Sequence, residues 1–279
     1  MSPMYALLHA SARLSPDSFT VHGSTVAGIV GLALLYEGGA RRRGIAQPSP
    51  AQRFCWYGAL VVMFFSLNGW LHDLSDTYLF SAHMLQHLLL ALVVAPLMIF
   101  GVTGDMLRPV LAWRGVGPVA RWISRPIQCY AVFNLVITVW HLPPMYNYAL
   151  AHHPVHITQH LTMLVASVLM WWPVLSPLPE LPRLNYPGQM LYLFLMTIPM
   201  AIVSVYIAYS DSLLYPAYAR AARLWGISPM TDQLIGGLIM WIPGGLFFFA
   251  IISIVFFKWQ QRGGVESRAG AQVDWSTAG

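Results

Sequence analysis

Charge is what this 279-residue sequence has least of: 9% of its residues are Asp, Glu, Lys or Arg, and Lys258 is its single lysine. Soluble domains carry about 25% charged residues, so an ordinary water-soluble enzyme is excluded. Cysteine is nearly absent as well. Cys55 and Cys129 stand without C-x-x-C spacing, which excludes a disulfide framework and a thiolate metal cage. There is no H-E-x-x-H, no phosphate-binding glycine loop after a strand, and no Ser-His-Asp pattern in a credible context. The formal net charge of +5 does not point to nucleic acid, because the arginines fall in short clusters between apolar runs.

Apolar and aromatic residues take the place of charge. The chain is 57% hydrophobic, with 11 Trp, 13 Tyr, 13 Phe and 14 Met, and its mean hydropathy is +0.58. Lipid is the main solvent of such a chain, with aromatic residues placed at the headgroup boundary. Runs of about 20 apolar residues predict seven transmembrane helices, near 19–37, 53–71, 80–103, 126–142, 155–176, 188–208 and 231–258. The expected fold is all-α, a polytopic membrane helix bundle forming one domain over 1–262. Residues 263–279, small and polar, are expected to be a disordered cytoplasmic tail.

Basic residues near helix ends stay on the cytoplasmic side, which sets an expected orientation. Arg41, Arg42, Arg43, Arg53, Arg108, Arg114, Arg121, Arg125, Arg183, Lys258, Arg262 and Arg268 fall on one side, against Arg13, Arg220 and Arg223 on the other. The N-terminus is therefore expected outside and the C-terminus inside. Both cysteines then lie near cytoplasmic helix ends, as packing residues.

A hairpin recurs in the sequence. Trp70-Leu71-His72 precedes His83-Met84-Leu85-Gln86-His87-Leu88, and Trp140-His141 precedes His156-Ile157-Thr158-Gln159-His160-Leu161. A degenerate third copy runs through Asp211 to Asp232 and Gln233. Residues four apart share a helix face with Cβ atoms about 5–6 Å apart. His83 with His87, and His156 with His160, are thus two imidazole pairs at similar depth, each fit to bind one metal ion. His72 and His141 are expected at the ends of the partner helices on the same level.

Polar side chains within a membrane helix are costly and mark sites, so these six histidines are the candidate metal ligands. Gln86 and Gln159 are candidates to orient imidazole from behind or to bond between helices. Asp232 is an intramembrane carboxylate, a candidate counter-charge or further ligand. Met163, three residues after His160, could add a thioether, as could Met84, Met145 and Met230, although methionine is first of all core filling. His9, His22, His152 and His153 are read as interfacial, and Asp73, Asp76 and Asp211 as solvated acids of the outer loops. Imidazole suits zinc, copper, iron and nickel, and thioether without thiolate tilts the choice to copper.

These same segments resemble the CtaG family of cytochrome c oxidase assembly factors, the polytopic family associated with caa-type oxidases. The resemblance is carried by His83 to Leu88 continuing to Ala95-Pro96-Leu97, by Trp140-His141-Leu142-Pro143, by His156 to Leu161 with Trp171-Trp172-Pro173, and by Asp232-Gln233-Leu234 with Gly236-Gly237 and Trp241. It covers about residues 20–260. It implies a non-enzymatic role in maturing a heme-copper oxidase in a bacterial plasma membrane by handling copper. The mechanism expected of the residues is that His83, His87, His156 and His160, with His72 and His141, hold one or two Cu(I) ions received from a periplasmic donor protein and passed to an oxidase subunit. Two other readings stay open on the residues alone. Facing histidines also ligate b-type heme, with His87 and His160 as the axial pair, and a scaffold for nascent oxidase subunits would use its histidines only as hydrogen-bonding groups.

Overall fold

The computed structural model describes residues 19–42, 44 and 46–271, with no side chains described beyond 262. The described residues contain helices and no strand. Long helices run back and forth between two ends of a bundle: α1 (Gly23–Ala40), α2 (Pro50–Leu67), then the short α3 (Gly69–Asp73) with a π turn (Leu74–Tyr78), and α4 (Phe80–Gly101). Two small helices follow, α5 (Gly104–Leu111) and α6 (Val116–Ile123). The second half has α7 (Pro126–His141), the short α8 (Pro143–Ala151), α9 (His153–Leu175), α10 (Tyr186–Ala208), a 3-10 turn (Pro216–Arg220) and α11 (Pro229–Ala271).

A helix stands at each of the seven expected positions. Four of them are long and apolar enough to cross a membrane: α4 with 22 residues, α9 and α10 with 23 each, and α11 with 34 counted to Arg262. The bent pair Pro50–Leu67 and Gly69–Tyr78 makes a fifth if it counts as one span. Expected Arg13 lies outside the described residues, as does 272–279 of the expected tail. The last helix is described to Ala271.

Local chemistry sets the starts and breaks. α2 opens with a reciprocal cap in which Ser49 Oγ accepts from Gln52 N at 3.2 Å and Gln52 Oε1 accepts from Ser49 N at 2.9 Å. Pro50 at the first position supplies a helix-ready φ. The span expected over 53–71 breaks at Asn68. There the side chain donates to Phe64 O at 3.0 Å and accepts from His22 N at 2.8 Å, and Gly69 turns the chain with φ +67°. The chain bends by 45°, so His72 stands on a short crossing helix rather than at the end of a long one.

α4 carries a second departure from regular winding. Its residues Leu89–Val94 form a π turn, with Ala95 N donating to Leu90 O. The next residue, Pro96, has no N–H to offer, so the Ala91 carbonyl is left without a helical donor. Trp171 Nε1 of α9 donates to it at 2.8 Å. An orphan carbonyl inside a membrane bundle needs such a partner, and this one locks α4 to α9, the two helices that carry the H-x-x-Q-H-L segments.

Small residues let the last helix approach its neighbours. A Cβ on Gly236 would stand 2.4 Å from the Phe80 ring of α4, and one on Gly237 would stand 2.8 Å from Ala208 N and Cβ of α10. Consecutive glycines thus face two different helices, as membrane packing without a hydrophobic drive favours.

The paired histidines stand at one end of these helices and most of the basic residues at the other, with Arg220 and Arg223 on the histidine side beside Tyr218. At the basic end Arg53 pairs with Glu37 at 2.7 Å, and Arg108 with Glu180 at 2.7 Å and with Asp105. The Arg108 guanidinium holds the Glu180 carboxyl below the usual carboxylate range. Arg262 lies 5.2 Å over the Tyr186 ring. Cys129 is buried there, donating to Ile123 O at 3.2 Å.

Candidate metal centre

The i, i+4 spacing brings the pairs together as expected: His83 and His87 Nε2 atoms are 2.9 Å apart, and so are those of His156 and His160. Tertiary packing then joins the two pairs. The His83 ring centroid lies 5.3 Å from that of His156 and 5.4 Å from that of His160, and His87 lies 5.1 Å from His160. Two sets of ligand atoms emerge, each within 4.8 Å of one another: His83, His87 and His160, and Asp76, His83 and His156. His83 belongs to both.

His141, the last residue of α7, sits beside this cluster with its ring 5.6 Å from His87. Its Nδ1 donates to Ile137 O at 2.6 Å, which leaves Nε2 as a lone pair, buried and without a partner. His72 lies on the other side, 6.5 Å from His156 with rings near parallel. The six expected histidines therefore form one layer, each of them 9% exposed or less.

The surrounding residues divide by role. Gln86 Nε2 donates to Ser66 O at 2.6 Å and faces His72 Nδ1 at 3.3 Å, so it holds that ring from behind. Gln159 is fully buried with neither amide atom partnered. Asp232 does not face the layer: it accepts from Phe80 N at 2.6 Å, from Ser81 N at 3.1 Å and from the Ser81 hydroxyl. Those are free donors at the start of α4, so this carboxylate pins the helix that carries His83 and His87. Met163 packs in the apolar core with Phe133 and Met170, and Met84 lies there too, while Met145 and Met230 are about 40% exposed. The residues matching the third copy act in the loop, where Gln233 accepts from Leu214 N at 2.8 Å and donates to Ser212 O at 3.2 Å.

Asp76, expected as a solvated loop acid, is instead part of the layer. Its Oδ2 lies 3.4 Å from His72 Nε2 and 3.4 Å from His156 Nδ1. Its placement four residues after His72, on the helical segment beyond Gly69, is the signal by which the sequence could have shown it. Asp211 is exposed, as expected.

Tyr218 has no such signal. The 3-10 turn carries its phenol inward, where the hydroxyl donates to Ser75 O at 2.7 Å and lies 2.9 Å from Tyr146 Oη and 3.3 Å from His83 Nδ1. Burial pushes the Tyr218 phenol well up, so it remains an O–H. Since its proton goes to Ser75, its oxygen accepts from His83 Nδ1–H, which turns the His83 Nε2 lone pair towards His87.

Buried polar atoms without partners concentrate in this layer: His87 Nδ1, His141 Nε2, His160 Nδ1, Gln86 Oε1 and both amide atoms of Gln159. Such atoms are costly to leave unsatisfied. A guest that draws on imidazole nitrogen removes part of that cost, and the donor set of neutral imidazoles with one carboxylate fits a transition-metal ion.

The sequence profile of the cytochrome c oxidase caa3 assembly factors, Caa3_CtaG, matches residues 6–262. The chain belongs to this family. CtaG proteins are thereby placed, by family description, in the assembly of cytochrome c oxidase. Two uncharacterized mycobacterial proteins are similar to this CtaG member, Mb0105 of Mycobacterium bovis and MT0111 of Mycobacterium tuberculosis. Each is 26% identical over 255 residues, which is 85% of this chain and 38% of the relative. The chain thus spans well under half the length of these curated relatives. No solved structure matches it.

Proposed function

We propose that this CtaG protein binds Cu(I) in its histidine layer at the outer side of a bacterial plasma membrane and passes the ion to a heme-copper oxidase subunit. The observation that carries this reading is the buried trio His83, His87 and His160, whose ligand nitrogens all lie within 4.8 Å of one another. Tyr218 sets the His83 tautomer, and His141 adds a free lone pair alongside. A monovalent ion suits the site electrostatically, because neutral imidazoles with the single Asp76 carboxylate balance one positive charge, and an unbalanced buried charge is costly.

In this reading all seven long helices cross the membrane and the two histidine hairpins are an internal repeat. The basic end, with Arg41, Arg53, Arg108, Arg183, Lys258 and Arg262, faces the cytoplasm. The histidine layer then lies a turn or two below the outer surface, within reach of a periplasmic copper donor and of a subunit docked against the bundle. Copper is cargo here, not a catalytic cofactor. The contact of His87 and His160 rings at 5.1 Å favours a bare ion over a heme, whose macrocycle needs open space between its axial ligands.

The test is metal content. Full-length protein purified anaerobically with reductant from copper-supplemented cells is assayed for copper, zinc and iron and scanned for heme absorption. Copper near one or two per chain, lost in the variant combining His83→Ala, His87→Ala, His156→Ala and His160→Ala, is the expected result. Heme without copper would move the protein to the cytochromes, and a metal-free preparation that still supports oxidase assembly would make it a scaffold.

A further inference from the structure

His156 faces two clusters with its two nitrogens. Nε2 looks inward to His160 Nε2 at 2.9 Å, whereas Nδ1 looks to Asp76 Oδ2 at 3.4 Å. That same oxygen lies 3.4 Å from His72 Nε2, so it is set between two imidazoles. At 3.4 Å neither contact is a good charge-assisted hydrogen bond, which would be nearer 2.7–2.9 Å. The ligand atoms of Asp76, His83 and His156 all lie within 4.8 Å of one another, as ligands around a common point do.

Accessibility falls steadily along this line. The side chains are 25% exposed at Asp76, 11% at His72 and 6% at His156, and His83 beyond them is fully buried. His22 continues the series towards the surface, its ring 4.5 Å from His72 and 6.3 Å from the exposed His153. Counted over whole residues, within the trio His83 is fully buried and His87 5% exposed, while His160 at 9% matches His72.

We propose that Asp76, His156 and His83, with His72 Nε2–H holding the carboxylate, form a second, outer ion station through which Cu(I) reaches the buried trio. This rests on the copper reading of that trio. His83 is the shared member of the two ligand sets, so an ion can move inward without being released. Bonds to the Asp76 oxygen and His156 Nδ1 break as bonds to His87 and His160 form, while His83 stays bound and the ion's charge does not change. The carboxylate left behind is an anion that keeps the Ser75 hydroxyl at 3.1 Å. Direction follows from ligand type, because carboxylate holds a soft ion less well than imidazole. The outer station therefore controls how fast copper enters, and the trio controls how much is held.

The experiment separates rate from content. Full-length protein in detergent, metal-free, anaerobic and reduced, is mixed with a coloured Cu(I)–chelator complex, and colour loss is followed to its end point. Asp76→Asn, which keeps size and the Ser75 contact, is expected to slow uptake by about tenfold or more with the wild-type end point, and His72→Gln to do the same. His87→Ala with His160→Ala is expected to lower the end point. Uptake by Asp76→Asn at the wild-type rate would overturn the station. Loss of end point in Asp76→Asn equal to that of the double variant would also overturn it, by making Asp76 a ligand of one single site, while the copper reading stands. No uptake by the wild-type protein would sink the copper reading itself, and the station with it. If Asp76→Asn does not fold, His72→Gln decides alone.

Discussion

Asp232 accepts the backbone N–H of Phe80 at 2.6 Å across 152 positions of sequence. The last helix thereby caps the helix that presents His83 and His87, and a carboxylate that looks like a ligand in the sequence is a support one step removed. Asp232→Ala is expected to lower stability by about 1–2 kcal/mol, in the range of lost helix caps. Thermal unfolding in detergent checks it. Asp232→Asn, which can still accept one of the two backbone donors, is expected to fall between. Equal stability of Asp232→Ala and wild type would remove the capping role.

Tyr218 offers a sharper test of the layer. Tyr218→Phe deletes the hydroxyl that accepts from His83 Nδ1 and frees that ring to change tautomer. Loss of such a supporting hydrogen bond weakens metal affinity by about 10–100-fold. A competition titration against a Cu(I) chelator should show this with the copper end point unchanged at saturating metal.

Trp171 and Ala91 make the lock between α4 and α9. Trp171→Phe keeps most of the apolar volume and leaves the Ala91 carbonyl, already deprived of a helical donor by Pro96, without any partner. A buried acceptor left unsatisfied costs about 1–3 kcal/mol. The expected result is a lower unfolding temperature. Little change would mean that the π turn rewinds to satisfy its own carbonyl.

Two glycines of α11 should respond in opposite ways. Gly237→Val drives a side chain into Ala208, whose N and Cβ stand 2.8 Å from the first added carbon. Overpacking of this kind costs about 1–3 kcal/mol or more, and the expected outcome is a poor yield of folded protein. Gly245→Ala meets nothing within 4 Å and should be neutral or stabilising, since glycine inside a helix is worth about 0.5–1 kcal/mol less than alanine. Expression level and detergent stability read both.

The helical character of the chain and the two imidazole pairs were legible in the sequence, because both are local. Apolar run length marks a helix, and four-residue spacing on a helix sets His83 beside His87 and His156 beside His160 whatever the rest of the chain does. The break at Asn68 and Gly69 is not legible in the sequence, since it depends on a side chain that must find both Phe64 O and His22 N. The run over 53–71 looks continuous until those contacts exist.

Asp76 was legible only in hindsight, through its spacing from His72, and Tyr218 not at all. Whether a loop carboxylate is solvated or set between two imidazoles depends on where α9 brings His156. Whether a loop tyrosine points into the bundle depends on the path from α10 to α11, which Gln233 ties down. By itself the sequence determined a helical, lipid-adapted chain with two histidine pairs, through periodicity and hydropathy that act within one helix. Only the tertiary structure decided that the pairs meet in two ligand sets sharing His83, that Asp232 supports them and that Asp76 joins them. Those outcomes are set by contacts between helices distant in the chain, and no local pattern encodes such contacts.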